Sequence, residues 1–110
     1  MKLSAKRIHF TEMIAELCLW AKSQGYGVAL AEVKRPREVV QIYMQQGKGI
    51  INSKHLEALA ADIDLYKDGV YLADTESHRP LGEYWKRLDS LNRWGGDFKR
   101  VDGNHYEYGG

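Results

Sequence analysis

The sequence predicts an α+β fold in which two or three helices pack on one small antiparallel sheet. Three observations lead there. Apolar residues recur at steps of three and four in two long stretches, the signature of a helical face. Short apolar or alternating runs lie between and after them, as strands require. One of those runs is split by Asp68-Gly69, a pair suited to a tight hairpin turn. At 110 residues the chain has the length of one domain, 1–110, with a real but modest core.

The first stripe is Phe10, Met13, Ile14, Leu17, Trp20 and Ala21, with Ser4 expected as N-cap and Gly25 as the stop. Cys18 lies inside this stripe and is expected to be a buried filler. As the single cysteine it excludes an internal disulfide and a thiolate zinc cluster. Residues 27–33 read as a short strand. Pro36 then suits the first turn of a helix carrying Val39, Val40, Ile42, Tyr43 and Met44. Gly47-Lys48-Gly49 ends that helix and opens an exposed loop to Ser53; it lacks the spacing of a phosphate loop.

Residues 60–65 read as a strand, and Asp68-Gly69 turns it into Val70-Tyr71-Leu72. Residues 75–79 form a polar entry to the second long helix, with Pro80 near its first turn. Leu81, Tyr84, Trp85, Leu88 and Leu91 make its buried stripe. Gly95-Gly96 closes that element, and residues 101–108 return as a final strand carrying His105.

A net charge of +1 argues against a nucleic-acid partner, which would call for a concentrated basic excess. Residues 1–55 carry nine Lys/Arg against four Asp/Glu, whereas residues 56–110 carry seven against eleven. The acidic half suits a cation site. No stretch reaches membrane-spanning length, so no membrane anchor is expected. The N-terminal residues lack the apolar core of a signal peptide, which predicts synthesis in the cytoplasm.

Four residues carry the candidate chemistry: His55 and Asp62, then Asp102 and His105 far downstream. Two imidazoles and a carboxylate are the minimum protein ligand set for a zinc that keeps a position open to water. A second carboxylate three residues before the last histidine is placed to handle that water's proton. The His-x6-Asp spacing alone is unspecific. Fully extended, residues 55–62 would span more than roughly 20 Å, so the chain must fold back between them. The small residues Ala58, Ala60 and Ala61 permit that. Asp62 and Asp64 have the same parity on their strand and share one face.

The surrounding residues resemble the zinc D-alanyl-D-alanine carboxypeptidase and L-alanyl-D-glutamate endopeptidase family, which includes VanY-like enzymes and many phage endolysins. Its pattern is roughly Ser-x-His-x-x-Gly-x-Ala-x-Asp, followed near the C-terminus by Asp/Glu-x-x-His. Ser53, His55, Ala60 and Asp62 match the first block, and Asp102 and His105 the second. Trp94-Gly95-Gly96-Asp97-Phe98 resembles the phage branch, and Glu32-Val33-Lys34-Arg35 with Gln41 is similar to the family's Arg-containing block. The resemblance spans residues 25–107. One departure is Ala58 where the family has glycine, so the turn there must tolerate a Cβ.

That resemblance implies that His55, Asp62 and His105 bind Zn2+ and that Asp102 is the general base. It implies that Arg35, or its neighbour Arg37, grips a substrate carboxylate, and that Ser53 orients the site or contacts substrate. Asp64 is expected beside the ligands or facing solvent. Trp94 and Tyr106 line the cleft or pack in the core, and His9 and His78 are expected to be exposed. The implied function is a monomeric zinc peptidase acting on peptidoglycan stem peptides, a phage-type endolysin with L-alanyl-D-glutamate endopeptidase activity. It would reach the cell wall after release, in the periplasm. A D-alanyl-D-alanine carboxypeptidase and a non-catalytic, zinc-stabilised wall-binding module are the alternatives. Asp102 beside the ligand set argues for the enzyme.

Overall fold

The computed structural model describes residues 1–33 and 57–110. The first apolar stripe forms helix α1, Leu3–Ser23, and buries Phe10, Met13, Ile14, Leu17 and Ala21. Its start differs from expectation. The helix begins before Ser4, with Lys2 at the cap position and no side-chain cap bond. An exposed first turn can be satisfied by water, so a capping side chain is dispensable there. Its end is as expected: the Gly25 N–H donates to the Lys22 carbonyl at 3.1 Å and the chain turns away. Cys18 is half-buried against the core, and burial raises its thiol pKa, which suits an inert filler.

Strand β1, Tyr26–Glu32, follows, and the expected helix from Pro36 lies outside the described residues, as do Gly47-Lys48-Gly49, Arg35, Arg37, Ser53 and His55. Strand β2, Ala60–Lys67, turns through Asp68-Gly69 into β3, Val70–Tyr71. Both turn residues have positive φ, 52° and 77°, as a two-residue hairpin with the right twist needs.

Helix α2, Thr75–Leu88, absorbs the residues expected as a polar entry. Asp74 is its N-cap: the carboxylate accepts from the Ser77 N–H at 3.0 Å and from the Ser77 hydroxyl at 2.6 Å. That cap starts the helix early and leaves Pro80 inside its second turn. Pro80 cannot bond the carbonyl four residues back, but Glu76 there is exposed and water can serve instead. The helix also stops early. Asp89 is extended, and its side chain accepts from the Leu91 N–H at 2.8 Å. Leu91 is therefore off the helix and 49% exposed, not part of its buried stripe.

A short strand β4, Asn92–Trp94, which the sequence did not announce, comes next, then a 3-10 turn at Gly95–Asp97. The last strand β5 covers only His105–Tyr108, because Asp102-Gly103-Asn104 are used in a turn. The main sheet order is β1-β2-β5-β4, all antiparallel, and β3 pairs with the end of β2. Among the described residues, two helices on one small antiparallel sheet give the α+β fold expected. No helix among the described residues is long and apolar enough to cross a membrane.

Strand alternation gives the sheet two different faces. Ala61, Ile63, Leu65, Trp94, Tyr106 and Tyr108 join buried residues of α1 and α2 in one hydrophobic core. The intervening positions Asp62, Asp64, His105, Glu107 and Arg93 fall on the other side. Trp94 and Tyr106 are fully buried, so they pack in the core and do not line a cleft.

Just before β2, Ala58 has φ of 57° and is buried. The left-handed region costs an L-residue roughly 1–2 kcal/mol because its Cβ meets the following carbonyl. Ala58→Gly should relieve that strain, offset in part by glycine's greater freedom in the unfolded chain. A net gain of about 0.5–1 kcal/mol is expected. Urea unfolding of both proteins checks it; an unchanged or lower midpoint would mean that the backbone at Ala58 is unstrained.

Candidate metal centre

Register is what builds the site. Asp62 on β2 and His105 on β5 are direct cross-strand partners, and the neighbouring bond from the Ile63 N–H to the Asn104 carbonyl, 2.9 Å, fixes that pairing. Residues 43 positions apart thus meet on the non-core face of the sheet. The His105 Nδ1 lies 3.4 Å from Asp62 Oδ1 and 4.0 Å from Asp102 Oδ2. One donor atom from each of Asp62, Asp102 and His105 lies within 4.8 Å of the others. Three of the four residues singled out in the sequence are therefore together. The fourth, His55, lies outside the described residues, as do Arg35 and Ser53.

Asp102 is aimed by its loop. Its N–H donates to the Gly95 carbonyl at 2.9 Å, and its carbonyl accepts from the His105 N–H at 3.1 Å. Gly95 is a glycine of necessity: a Cβ there would overlap the Asp102 carbonyl. Trp94 adds a second tie, its indole N–H donating to the Gly103 carbonyl at 2.7 Å. These bonds tie the turn at its base, while the Asp102 carboxylate itself is 54% exposed, beside the half-buried Asp62 and the buried His105.

Helix α2 fixes β5 from below. The Trp85 indole N–H reaches both the Arg93 and Glu107 carbonyls at 3.1 Å. Tyr106, the residue after His105, has its hydroxyl 2.8 Å from Nδ1 of His78. His78 is 1% exposed, contrary to the expectation from its polar surroundings in sequence. Burial holds its pKa below the usual imidazole value, only partly offset by Asp74, so it serves as a neutral structural partner. His9 is half-buried and pairs with Asp89 at 2.9 Å.

The sequence reading missed Glu107 as a site residue. Its Oε1 lies 2.7 Å from the other ring nitrogen of His105, Nε2, and its Oε2 lies 2.6 Å from the Arg93 guanidinium. The signal was available in parity: Glu107 is two residues past His105 on a strand and must share its face. Burial pulls the His105 pKa down, but hydrogen bonds to Asp62 and Glu107 outweigh that and push it up to about 9.

The donor set fits zinc. Two ligands each roughly 2.0–2.1 Å from a tetrahedral zinc stand about 3.3 Å apart. The separation between His105 Nδ1 and Asp62 Oδ1 is 3.4 Å, whereas Asp102 stands farther off at 4.0 Å. Asp102 nonetheless belongs to the same cluster of possible ligands.

Residues 46–108 match the model of a family described as D-alanyl-D-alanine carboxypeptidase. Among solved structures, the chain is similar to the Serratia marcescens L-Ala D-Glu endopeptidase ChiX, with a TM-score of 0.67 and 20% identity over 74% of this chain and 66% of that one. It is also similar to a variant of the vancomycin resistance D,D-pentapeptidase VanY, from a VanB-type resistance cassette, in complex with Zn(II). There the TM-score is 0.61 at 20% identity, over 94% of this chain and 72% of that one. At this identity both likenesses concern the fold, which is the same helices-on-sheet arrangement. No curated protein matches the sequence significantly.

Proposed function

The chain belongs to the D-alanyl-D-alanine carboxypeptidase family of zinc peptidases, and from that premise we propose that it cleaves peptidoglycan stem peptides as a phage-type L-alanyl-D-glutamate endopeptidase. The observation that carries the reading is the cross-strand pairing of Asp62 with His105 and the exposed carboxylate of Asp102 beside them. His55, Asp62 and His105 would hold the zinc. When bound, zinc polarises the scissile carbonyl and lowers the pKa of water towards roughly 7. Asp102 takes the proton of the attacking water and delivers it to the leaving amine. Its exposure lets substrate approach, and its tethered backbone keeps that approach in one geometry.

Arg35 supplies a planar pair of donors for a substrate carboxylate close to the scissile bond, and Ser53 orients the site or touches the peptide. Both assignments rest on their places in the family pattern. The α-carboxylate of D-glutamate and a terminal D-alanine carboxylate would each suit Arg35. The endopeptidase is preferred because Trp94-Gly95-Gly96-Asp97-Phe98 resembles the phage branch. The second reading, a D-alanyl-D-alanine carboxypeptidase, is favoured by the description of the matching family.

Digestion of purified peptidoglycan by the zinc-loaded protein separates the two, with products identified by mass spectrometry. The expected result is glycan left with L-alanine stubs and released peptides that begin with D-glutamate. Release of free D-alanine would establish the carboxypeptidase instead. Binding to the wall without any cut would leave a non-catalytic wall-binding module.

A further inference from the structure

We propose that Glu107, braced by Arg93, is a positioning residue that holds the His105 ring with Nδ1 turned to the metal ligands. This rests on the zinc reading above and adds the pair that sets one ligand's geometry. The argument begins with the strand. His105 and Glu107 share the non-core face of β5, and the Glu107 Oε1 comes to 2.7 Å from His105 Nε2. An imidazole whose Nε2–H donates to a carboxylate keeps its lone pair on Nδ1, the atom that faces Asp62. A ring turned over about Cβ–Cγ would put Cδ2 where Nδ1 faces Asp62 and Cε1 where Nε2 meets Glu107, so both contacts would be lost.

Glu107 cannot hold the ring unless it is itself held. Arg93 is its direct cross-strand partner on β4, and the guanidinium sits 2.6 Å from Oε2. The Glu107 backbone carbonyl is fixed by Trp85 at 3.1 Å. The Glu107 side chain is 10% exposed and that of Arg93 55%, so the ion pair runs from the solvent edge inward to the ligand. The carboxylate thus has one oxygen on each partner. A buried carboxylate with that division of labour is more than a sheet-stabilising ion pair, since a pair with Arg93 alone would need neither Oε1 nor the imidazole. Phe98 flanks the same ring, with centroids 5.6 Å apart, and limits its swing from another side.

Glu107→Gln tests the idea, because the amide keeps the shape but can donate to Nε2 as readily as accept from it. Zn(II) affinity is measured by competition with a chromogenic chelator, and Co(II)-substituted protein gives the ligand-field spectrum. The expected result is a folded variant whose zinc affinity falls about 10–100-fold, with an altered Co(II) spectrum. Arg93→Gln, an exposed change that should fold whatever happens to Glu107→Gln, should shift both readouts in the same direction by less. If Glu107 only braces the sheet, the melting temperature drops while zinc affinity and the Co(II) spectrum stay as in the parent, and the proposal is overturned. Unchanged affinity and spectrum in Arg93→Gln would overturn it equally if Glu107→Gln does not fold. His105→Ala is the control. Loss of zinc there with none in Glu107→Gln defeats the positioning role alone, whereas zinc retained in His105→Ala defeats the ligand reading itself.

Discussion

Asp102→Asn is expected to keep its fold and its zinc while turnover falls by about a hundredfold or more. Asparagine fills the same space and can still sit on the loop that Gly95 and Trp94 secure, because those ties use the backbone at and beside position 102. What it loses is the ability to accept a proton at neutral pH. The 4.0 Å between Asp102 Oδ2 and His105 Nδ1 places the carboxylate next to the ligands, and its 54% exposure opens it to substrate. Initial rates on peptidoglycan, with metal content measured on the same sample, give the answer. A near-parental rate in the fully metallated variant would remove Asp102 as the base. Loss of zinc would instead make it a ligand, which its membership of the same donor cluster allows.

The sequence was most legible where one short-range rule sufficed. Period-two parity put Asp62 and Asp64 on one face, and Asp68-Gly69 announced its hairpin by backbone conformation alone. The pairing of Asp62 with His105 is different in kind. It depends on a register between strands 43 residues apart, and only the ordered pair of motifs pointed to it. The errors have physical causes. Asp74 outcompeted Pro80 as the marker of the α2 start, because a side-chain cap satisfies donors that Pro80 merely lacks. Asp89 ended that helix early through a local turn, which freed residues 92–94 to add a strand. His78 sits at an ordinary polar stretch of sequence, yet helix phase turns it inward to Tyr106. Ala58 is a case of the pattern being right about the backbone. The family's glycine position does take a positive φ here, and alanine occupies it nonetheless.

Removing a single ligand should abolish activity, and His105→Ala is the sharpest case because its proton can be followed as well. In the metal-free protein the His105 pKa is about 9, above the ordinary value near 6.5 that the unfolded chain would have. Since the folded value is the higher one, the protonated ring contributes stability that is fully present below about pH 6.5. That contribution is lost as pH rises through about 9. Zinc and this proton compete for Nδ1, so loading the metal at pH 7–8 should release about one proton from the ring. Apparent affinity should therefore climb with pH until about 9 and then level off with respect to this group. Calorimetry in two buffers of different ionisation enthalpy counts the proton, and elemental analysis counts the zinc. His105→Ala should bind less than one zinc per chain, show no such proton release, and leave peptidoglycan uncut; Asp62→Ala and His55→Ala should match it in zinc and activity. One zinc per chain in all three variants would eliminate this centre. Zinc bound by the parent without proton release would place the metal away from His105 Nδ1, because a nitrogen that keeps the proton facing Asp62 has no lone pair to give a metal.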